Sequence, residues 1–272
     1  MTLTDRTLTA LKKSKLSTIE LLKRRARINA SKVELRLYRL FGGQIVNFLH
    51  IPKTGGSAIK ATLKGVSETD HYRIHLRGHS CRLDDIPVGD KFFFFLREPA
   101  QRFVSAFNNK KAHRRNNWQH SKIVEQTAAL KRFETANHLA ESLYCEDSEI
   151  RLAAESAMNS IEHVNTFYSD WFRSPEYFTT RESDAFYIGF QESLESDFEN
   201  LKQLLGLPKA TSLPDLSSKA ANKNRHPLDK SLTTKAKENL ARWYADDYAF
   251  YAFAKTRSLE INKHNGASPL TY

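Results

Sequence analysis

QIVNFLHIPKTGGSAIKATLKG, residues 44–65, is the stretch that decides the fold of this 272-residue chain. Its first seven residues, 44–50, are mostly apolar without strict alternation, which is typical of a buried β-strand. Ile59 and Leu63 lie one helical turn apart, which predicts a helix over residues 57–64. A strand followed by a glycine-containing turn and a helix indicates an α/β fold.

The turn between this strand and this helix has the composition of an anion-binding loop. Gly55 and Gly56 carry no side chain that would keep an anion from the backbone amides. The helix that begins at Ser57 offers unpaired N–H groups and the positive end of its dipole. Thr54 and Ser57 add hydroxyl groups, and Lys53 adds a positive charge. The alternative interpretation is an ordinary strand-to-helix turn.

A second apolar strand, KFFFFLR at residues 91–97, is followed by another set of polar residues. Its four consecutive phenylalanines predict a strand that is covered on both faces. Arg97 would lie at the carboxyl end of the strand, where open α/β sheets bind ligands. Arg102 and Ser105 share a face of the next helix, so an arginine fork and a hydroxyl would suit a phosphate. The alternative is a surface ion pair with Glu98.

The order of predicted elements extends this α/β pattern over most of the chain. A third strand is predicted at residues 185–190, and helices are predicted between and after the strands. The predicted fold class is therefore α/β, a P-loop-like three-layer fold with a central parallel β-sheet flanked by helices. We expect a basic helical N-terminal extension at residues 1–43, a main domain at residues 44–260 and a C-terminal tail at residues 261–272.

Together the two polar motifs resemble those of sulfotransferases that use 3′-phosphoadenosine 5′-phosphosulfate (PAPS). His-Ile-Pro-Lys-Thr-Gly-Gly-Ser at residues 50–57 resembles their 5′-phosphosulfate loop, and residues 95–105 resemble their 3′-phosphate motif. Order and strand context are similar to the carbohydrate branch that contains heparan sulfate 2-O-sulfotransferase. Residues 189–192 and 243–253 agree less specifically. The resemblance covers about residues 44–254.

This resemblance implies a role for each residue of the two motifs. PAPS would be the donor and 3′,5′-ADP the product, without a metal, in an in-line transfer that depends on positioning and charge stabilisation. Lys53 would offset the charge on the leaving oxygen. The residues implied to hold the 5′-phosphosulfate are Lys53, Thr54, Gly55, Gly56 and Ser57, and those implied to hold the 3′-phosphate are Arg97 and Ser105.

A base and a covering loop are implied by the same resemblance. Arg-Gly-His at residues 77–79 resembles the element that carries the base, and a histidine suits this task because it titrates near neutral pH. His79 is therefore the predicted base, although a surface or structural role is the alternative for any of the ten histidines. The lesser candidates are His75, Asp84 and Asp85. Lys223 and Arg225 belong to a loop, residues 222–226, that resembles the segment folded over the nucleotide.

The net charge of +11 favours anionic partners. We expect a carbohydrate or glycolipid acceptor, for which an acidic glycan is compatible with the charge, and no nucleic acid. One alternative is a nucleotide-dependent kinase, which the position of Lys53 before the glycines opposes, since the triphosphate loop is G-x-x-x-x-G-K-[ST]. The other is a basic module that binds nucleic acid or membranes, for which no zinc spacing or RNA-binding aromatic motif is evident.

The positions of the cysteines and the hydropathy of the chain bear on its cellular localisation. Cys81 and Cys145 are far apart in the sequence, which favours a reducing compartment over a disulfide framework. Residues 1–22 contain no apolar run of signal-peptide length. We therefore expect a cytoplasmic protein. Animal relatives in the branch that the motifs resemble are expected to be Golgi-anchored, so the resemblance, with no membrane segment found, implies a bacterial enzyme. The basic residues 23–27 predict either peripheral contact with a membrane or partner, or a solvated helix face.

Overall fold

The computed structural model of the chain describes residues 33–66, 68–112, 121–215 and 229–266. The chain divides into two compact units, residues 1–45 and 46–272. In the first unit, residues 33–40 are helical (α1), and the helix ends in a turn where Gly42 has a φ of 83°. The basic residues 23–27, for which contact with a membrane or partner and a solvated helix face were the alternatives, lie outside the described residues.

A four-stranded sheet is found within the described ranges, and it has the strand order β2-β1-β3-β4. The strands are β1 (Gln44–Phe48), β2 (Tyr72–Leu76), β3 (Lys91–Leu96) and β4 (Ala185–Phe190). β3 pairs in parallel with both β1 and β4. The predicted α/β class with a central parallel sheet flanked by helices is confirmed.

α-Helices follow β1, β3 and β4, and several of them lie between β3 and β4. The helices that follow α1 are α2 (Gly56–Leu63), α3 (Pro99–Ala112), α4 (Ser121–Arg132), α5 (Ala136–Ser142), α6 (Ser148–Ser160), α7 (Ser169–Phe172), α8 (Pro175–Thr180), α9 (Leu194–Leu204), α10 (Thr234–Trp243) and α11 (Ala245–His264). Among the helices of the described ranges, none combines the length and the apolar composition needed to cross a membrane.

The four phenylalanines of β3 alternate between two buried layers, because successive side chains of a strand point to opposite faces. Phe92 and Phe94 pack with apolar residues of α7, α8 and α11. Phe93 and Phe95 pack with residues of β1, α2 and α9. The run of phenylalanines therefore lies in a strand covered on both faces, as its lack of alternation predicts.

The predicted domain boundary at residue 260 differs from the structure. α11 continues to His264, and Ile261 and Asn262 are buried. The amide of Asn262 donates from Nδ2 to the carbonyl of Ile188 at 2.9 Å and accepts from its N–H at 3.0 Å. Residues 261–264 thus continue α11 rather than beginning a tail, and Asn262 bonds to the backbone of β4.

Candidate functional site

A cleft of about 1320 Å³ lies among the segments that follow the strands of the sheet. It brings together the loop after β1, residues from α3 and α9, and His79 after β2. The predicted site residues that line it are Lys53, Gly55, Gly56, Ser57, His79, Arg97 and Ser105. Two other predicted residues, Lys223 and Arg225, lie outside the described residues.

The loop after β1 leaves the amino end of α2 open toward the cleft. Gly55 is the residue before the helix, has a φ of 85° and is followed by no acidic residue in the first turn. Gly55 has no side chain that could cap α2, so within the described ranges the first N–H groups of the helix are available to an anion. A Cβ atom on Gly56 would lie 2.3 Å from Cδ2 of His50, so a side chain at this position would displace the histidine.

Thr54 has a different role from the one predicted for its hydroxyl. Its Oγ1 donates to the carbonyl of Ile51 at 3.0 Å, and the side chain is buried. The hydroxyl is therefore used within the turn and does not face the cleft. Thr54 shapes the loop, while Ser57 lines the cleft.

Lys53 stands in the loop with an unusual backbone and a perturbed charge. Its φ is 68°, in the left-handed region that residues other than glycine seldom adopt. Burial, and secondarily the charges of Arg97 and Lys110, lowers the pKa of Lys53 to about 8. Strained backbone conformations concentrate at functional sites, and here the strain coincides with the cation of the loop.

Arg97 follows directly after β3 and faces the same cleft. Its Nη1 lies 3.5 Å from the carbonyl of Lys53, and its Nε is buried with no hydrogen-bond partner among the described residues. Burial lowers the pKa of Arg97. Glu98 instead caps α3 by accepting from the N–H of Gln101 at 2.7 Å. An unsatisfied buried donor is costly, and an anion in the cleft could satisfy the Arg97 Nε that the described residues leave without a partner.

Arg102 does not share the cleft face of α3 with Ser105, although the helical spacing predicts that it does. It is buried, and its Nη2 pairs with Oδ2 of Asp247 on α11 at 2.7 Å. Its Nη1 donates to the hydroxyl of Thr166 at 3.1 Å. Arg102 is therefore part of the core, and Arg97 is the arginine of this motif that lines the cleft.

His79 is held in one orientation by its neighbours. Its Nδ1 lies 3.1 Å from the carbonyl of His50, and the two imidazole centroids are 4.0 Å apart. Burial is the main cause that lowers the pKa of His79, so the ring is neutral at pH 7. When Nδ1 donates to the carbonyl, Nε2 keeps its lone pair, which is the arrangement a general base needs.

His163 is a residue of the site that the sequence analysis missed. It lines the cleft, and its ring centroid lies 5.9 Å from that of His79. Its φ is 70°, and burial lowers its pKa to about 4. His163 belongs to no motif in the sequence. Its backbone conformation and its position beside His79 arise only from the fold.

The lesser base candidates lie away from the lining of the cleft. Asp84 pairs with Arg173, and Asp85 accepts from the N–H of Arg82 at 2.8 Å. His75 belongs to β2 and is likewise not a lining residue. Arg77 donates from Nε to Oδ1 of Asn47 at 2.9 Å. Within the described ranges, no three His, Cys, Asp or Glu side chains are grouped as a metal site would require.

Comparison with protein families places the chain in a known family. A model of the sulfotransferase family matches residues 43–254, which is well over half of the chain. The matched range contains all four strands of the sheet, both polar motifs and every lining residue of the cleft. No curated protein matches the chain significantly.

Proposed function

The chain belongs to the sulfotransferase family, and we propose that it transfers the sulfuryl group of PAPS to a hydroxyl of a carbohydrate or glycoconjugate acceptor. The observation that carries this proposal is that one cleft is lined by two sets of donor groups, the amino end of α2 with Lys53 and Arg97 with Ser105, and by His79, whose Nδ1 lies 3.1 Å from the carbonyl of His50. A donor with a 5′-phosphosulfate and a 3′-phosphate has two anionic groups to match these sets.

The residues of the cleft fit PAPS. When bound, PAPS supplies an activated sulfuryl group on a 5′-phosphate that leaves as part of 3′,5′-ADP. Lys53 and the backbone of Gly55, Gly56 and Ser57 would hold the 5′-phosphosulfate at the uncapped end of α2. Arg97, whose buried Nε has no partner among the described residues, would hold the 3′-phosphate with Ser105.

Proton transfer is assigned to His79. Its Nε2 would accept the proton of the acceptor hydroxyl while the carbonyl of His50 keeps Nδ1 protonated. Lys53 would offset the negative charge on the leaving oxygen with its ammonium group. Arg97 and Lys53 hold charges of the same sign in a buried site, so binding a polyanion also relieves their repulsion.

The acceptor would enter beside His79 and His163. Burial lowers the pKa of both imidazoles. With Nδ1 of His79 donating to the carbonyl of His50, its Nε2 would accept from a hydroxyl, and the neutral ring of His163 has one donor and one acceptor nitrogen. The net charge of +11 supports an acidic glycan. Residues 222–226, with Lys223 and Arg225, would cover the nucleotide. The family match supports neither of the alternatives, the kinase and the basic binding module.

A transfer assay tests the proposal directly. The protein is incubated with labelled PAPS and a panel of neutral and acidic polysaccharides, and labelled product and 3′,5′-ADP are measured. We expect transfer to one acceptor class without added Mg²⁺. Calorimetry should show binding of 3′,5′-ADP in preference to 5′-AMP, ADP and ATP. A preference for ATP that requires Mg²⁺, or salt-sensitive DNA binding without a nucleotide effect, would contradict the proposal.

The role of His79 is tested by His79→Ala. We expect a loss of turnover of about 10²–10⁴-fold, because a positioned base contributes this much, with the affinity for 3′,5′-ADP unchanged. His75→Ala is the matched control, since His75 lies on β2 outside the lining of the cleft. Equal activities of the two variants would remove His79 from the mechanism.

A further inference from the structure

The hydroxyl of Tyr168 contacts both peptide groups of Arg97. It accepts from the N–H of Arg97 at 3.1 Å and donates to the carbonyl of the same residue. Leu96 is the last residue of β3 that pairs with β4, through Phe190. Arg97 lies one residue beyond this last pair, and one phenol group bonds to both its N–H and its carbonyl.

The side chain of Arg97 is held less firmly than its backbone. Its contact with the carbonyl of Lys53 is at the 3.5 Å limit of a hydrogen bond, and its Nε is unpartnered among the described residues. The peptide sets the point from which the side chain starts and the direction of its Cα–Cβ bond. A residue that fixes this peptide therefore fixes the origin from which the guanidinium reaches into the cleft.

Tyr168 is itself held by contacts with two buried charged residues. Its N–H donates to Oδ1 of Asp247 at 2.7 Å, and its ring lies 4.8 Å from the guanidinium carbon of Arg102. Arg102 closes this set by pairing with Oδ2 of Asp247. Burial raises the pKa of Tyr168, so its hydroxyl keeps the proton that it donates to Arg97. The site described above uses none of these three side chains.

We infer that Tyr168 is a positioning residue, whose hydroxyl fixes the backbone of Arg97 and thereby gives the cleft its selectivity for a nucleotide with a 3′-phosphate. This inference rests on the proposed function, because it assigns the 3′-phosphate to Arg97. Removal of the hydroxyl should weaken binding of the 3′-phosphate alone. A nucleotide that lacks this phosphate should bind equally well to both proteins.

The experiment measures, by calorimetry, the dissociation constants of 3′,5′-ADP and 5′-AMP, whose ratio is the selectivity for the 3′-phosphate. In Tyr168→Phe we expect the ratio to fall about tenfold, the effect of one hydrogen bond, with the constant for 5′-AMP unchanged. Tyr244→Phe is the matched control. Tyr244 is equally buried, and its hydroxyl donates to the carbonyl of Val164 at 2.7 Å instead of to Arg97.

A double-mutant cycle separates positioning from a general loss of structure. In the Arg97→Ala background, Tyr168→Phe should leave the ratio unchanged, since the group that it positions is gone. The inference would be overturned if Tyr168→Phe kept the wild-type selectivity for the 3′-phosphate. It would also be overturned if Tyr244→Phe lowered this selectivity as much as Tyr168→Phe does. A wild-type protein that binds 5′-AMP as tightly as 3′,5′-ADP would instead contradict the proposed function. The unfolding temperature of each variant is measured first, and all titrations are done at one temperature at which every variant is folded.

Discussion

Burial and two neighbouring cations, Arg97 and Lys110, lower the pKa of Lys53 to about 8. The lysine of the loop is therefore charged at neutral pH but loses its proton well below the usual pKa of a lysine. In the proposed function Lys53 faces a negative leaving oxygen and the donor phosphates, which only its protonated form would stabilise. This places a functional titration within an accessible pH range.

We predict that kcat/KM for PAPS falls as pH rises through about 8, the pKa of Lys53 in the free enzyme. The sign follows from the loss of the ammonium charge on deprotonation. Lys53→Arg should lose part of its activity at neutral pH but keep what remains above pH 8, because a guanidinium stays charged. The measurement is kcat/KM from about pH 6 to about pH 10. If kcat/KM falls at the same alkaline pH in the wild type and in Lys53→Arg, the fall is caused by the titration of another group.

We expect the acid side of the same profile to reflect His79, whose pKa burial lowers from the ordinary value of 6.5. A base acts only when it is deprotonated, so activity should persist below pH 6.5 and be lost only as the pH falls further. His79 could be proposed from sequence because it stands in a recognisable element, residues 77–79. His163 could not, since only the fold brings it to within 5.9 Å of His79.

At the scale of elements, the turn from β1 to α2 is the most completely predicted part of the protein. Its apolar strand, its two glycines and its helix are all encoded locally, within residues 44–64. β2 was not predicted, because in the strand Tyr72–Leu76 only Ile74 is buried and the other residues are half-exposed. A strand with so little buried surface carries a weak sequence pattern.

Gly56→Ala tests the close approach of this turn to His50. A Cβ atom there would meet the imidazole at 2.3 Å and Cζ of Phe48 at 3.2 Å, and both rings belong to packed residues. We predict a loss of about 1–3 kcal/mol in the free energy of unfolding, which is typical of overpacking, and weaker binding of 3′,5′-ADP. Urea denaturation and calorimetry measure the two effects.

Gly65→Ala is the control for this prediction, because nothing lies within 4 Å of a Cβ atom at that position. Its unfolding free energy should stay within about 0.5 kcal/mol of the wild type. If the two alanine variants were equally stable and bound the nucleotide equally well, the contact with His50 would not constrain the loop.

At the scale of the whole molecule, the second motif shows why helical spacing alone misplaced a residue. Arg102 and Ser105 are three residues apart on α3, yet Ser105 lines the cleft while Arg102 is 2% exposed and paired with Asp247, 145 residues later. A partner so distant in sequence is set by the tertiary fold. Asp247 also accepts from the N–H of Tyr168, and the hydroxyl of Tyr168 contacts the backbone of Arg97.

This ion pair joins α3, α11 and the segment before α7, so its removal should affect the stability of the whole main unit. We predict that Arg102→Met lowers the free energy of unfolding by about 3–5 kcal/mol, because it leaves the carboxylate of Asp247 buried without its partner. In the double variant with Asp247→Leu the loss should be smaller than the sum of the two single losses, since no lone charge remains buried.

Arg132→Met provides the same substitution at a surface pair. Arg132 and Glu149 are 3.3 Å apart with side chains 45% and 85% exposed, so water screens both charges. Its loss should cost only about 0–1 kcal/mol. Urea denaturation of the four variants and the wild type gives the comparison. Equal losses for Arg102→Met and Arg132→Met would mean that the buried pair does not hold these elements together, and the anchoring of Tyr168 would then need another source.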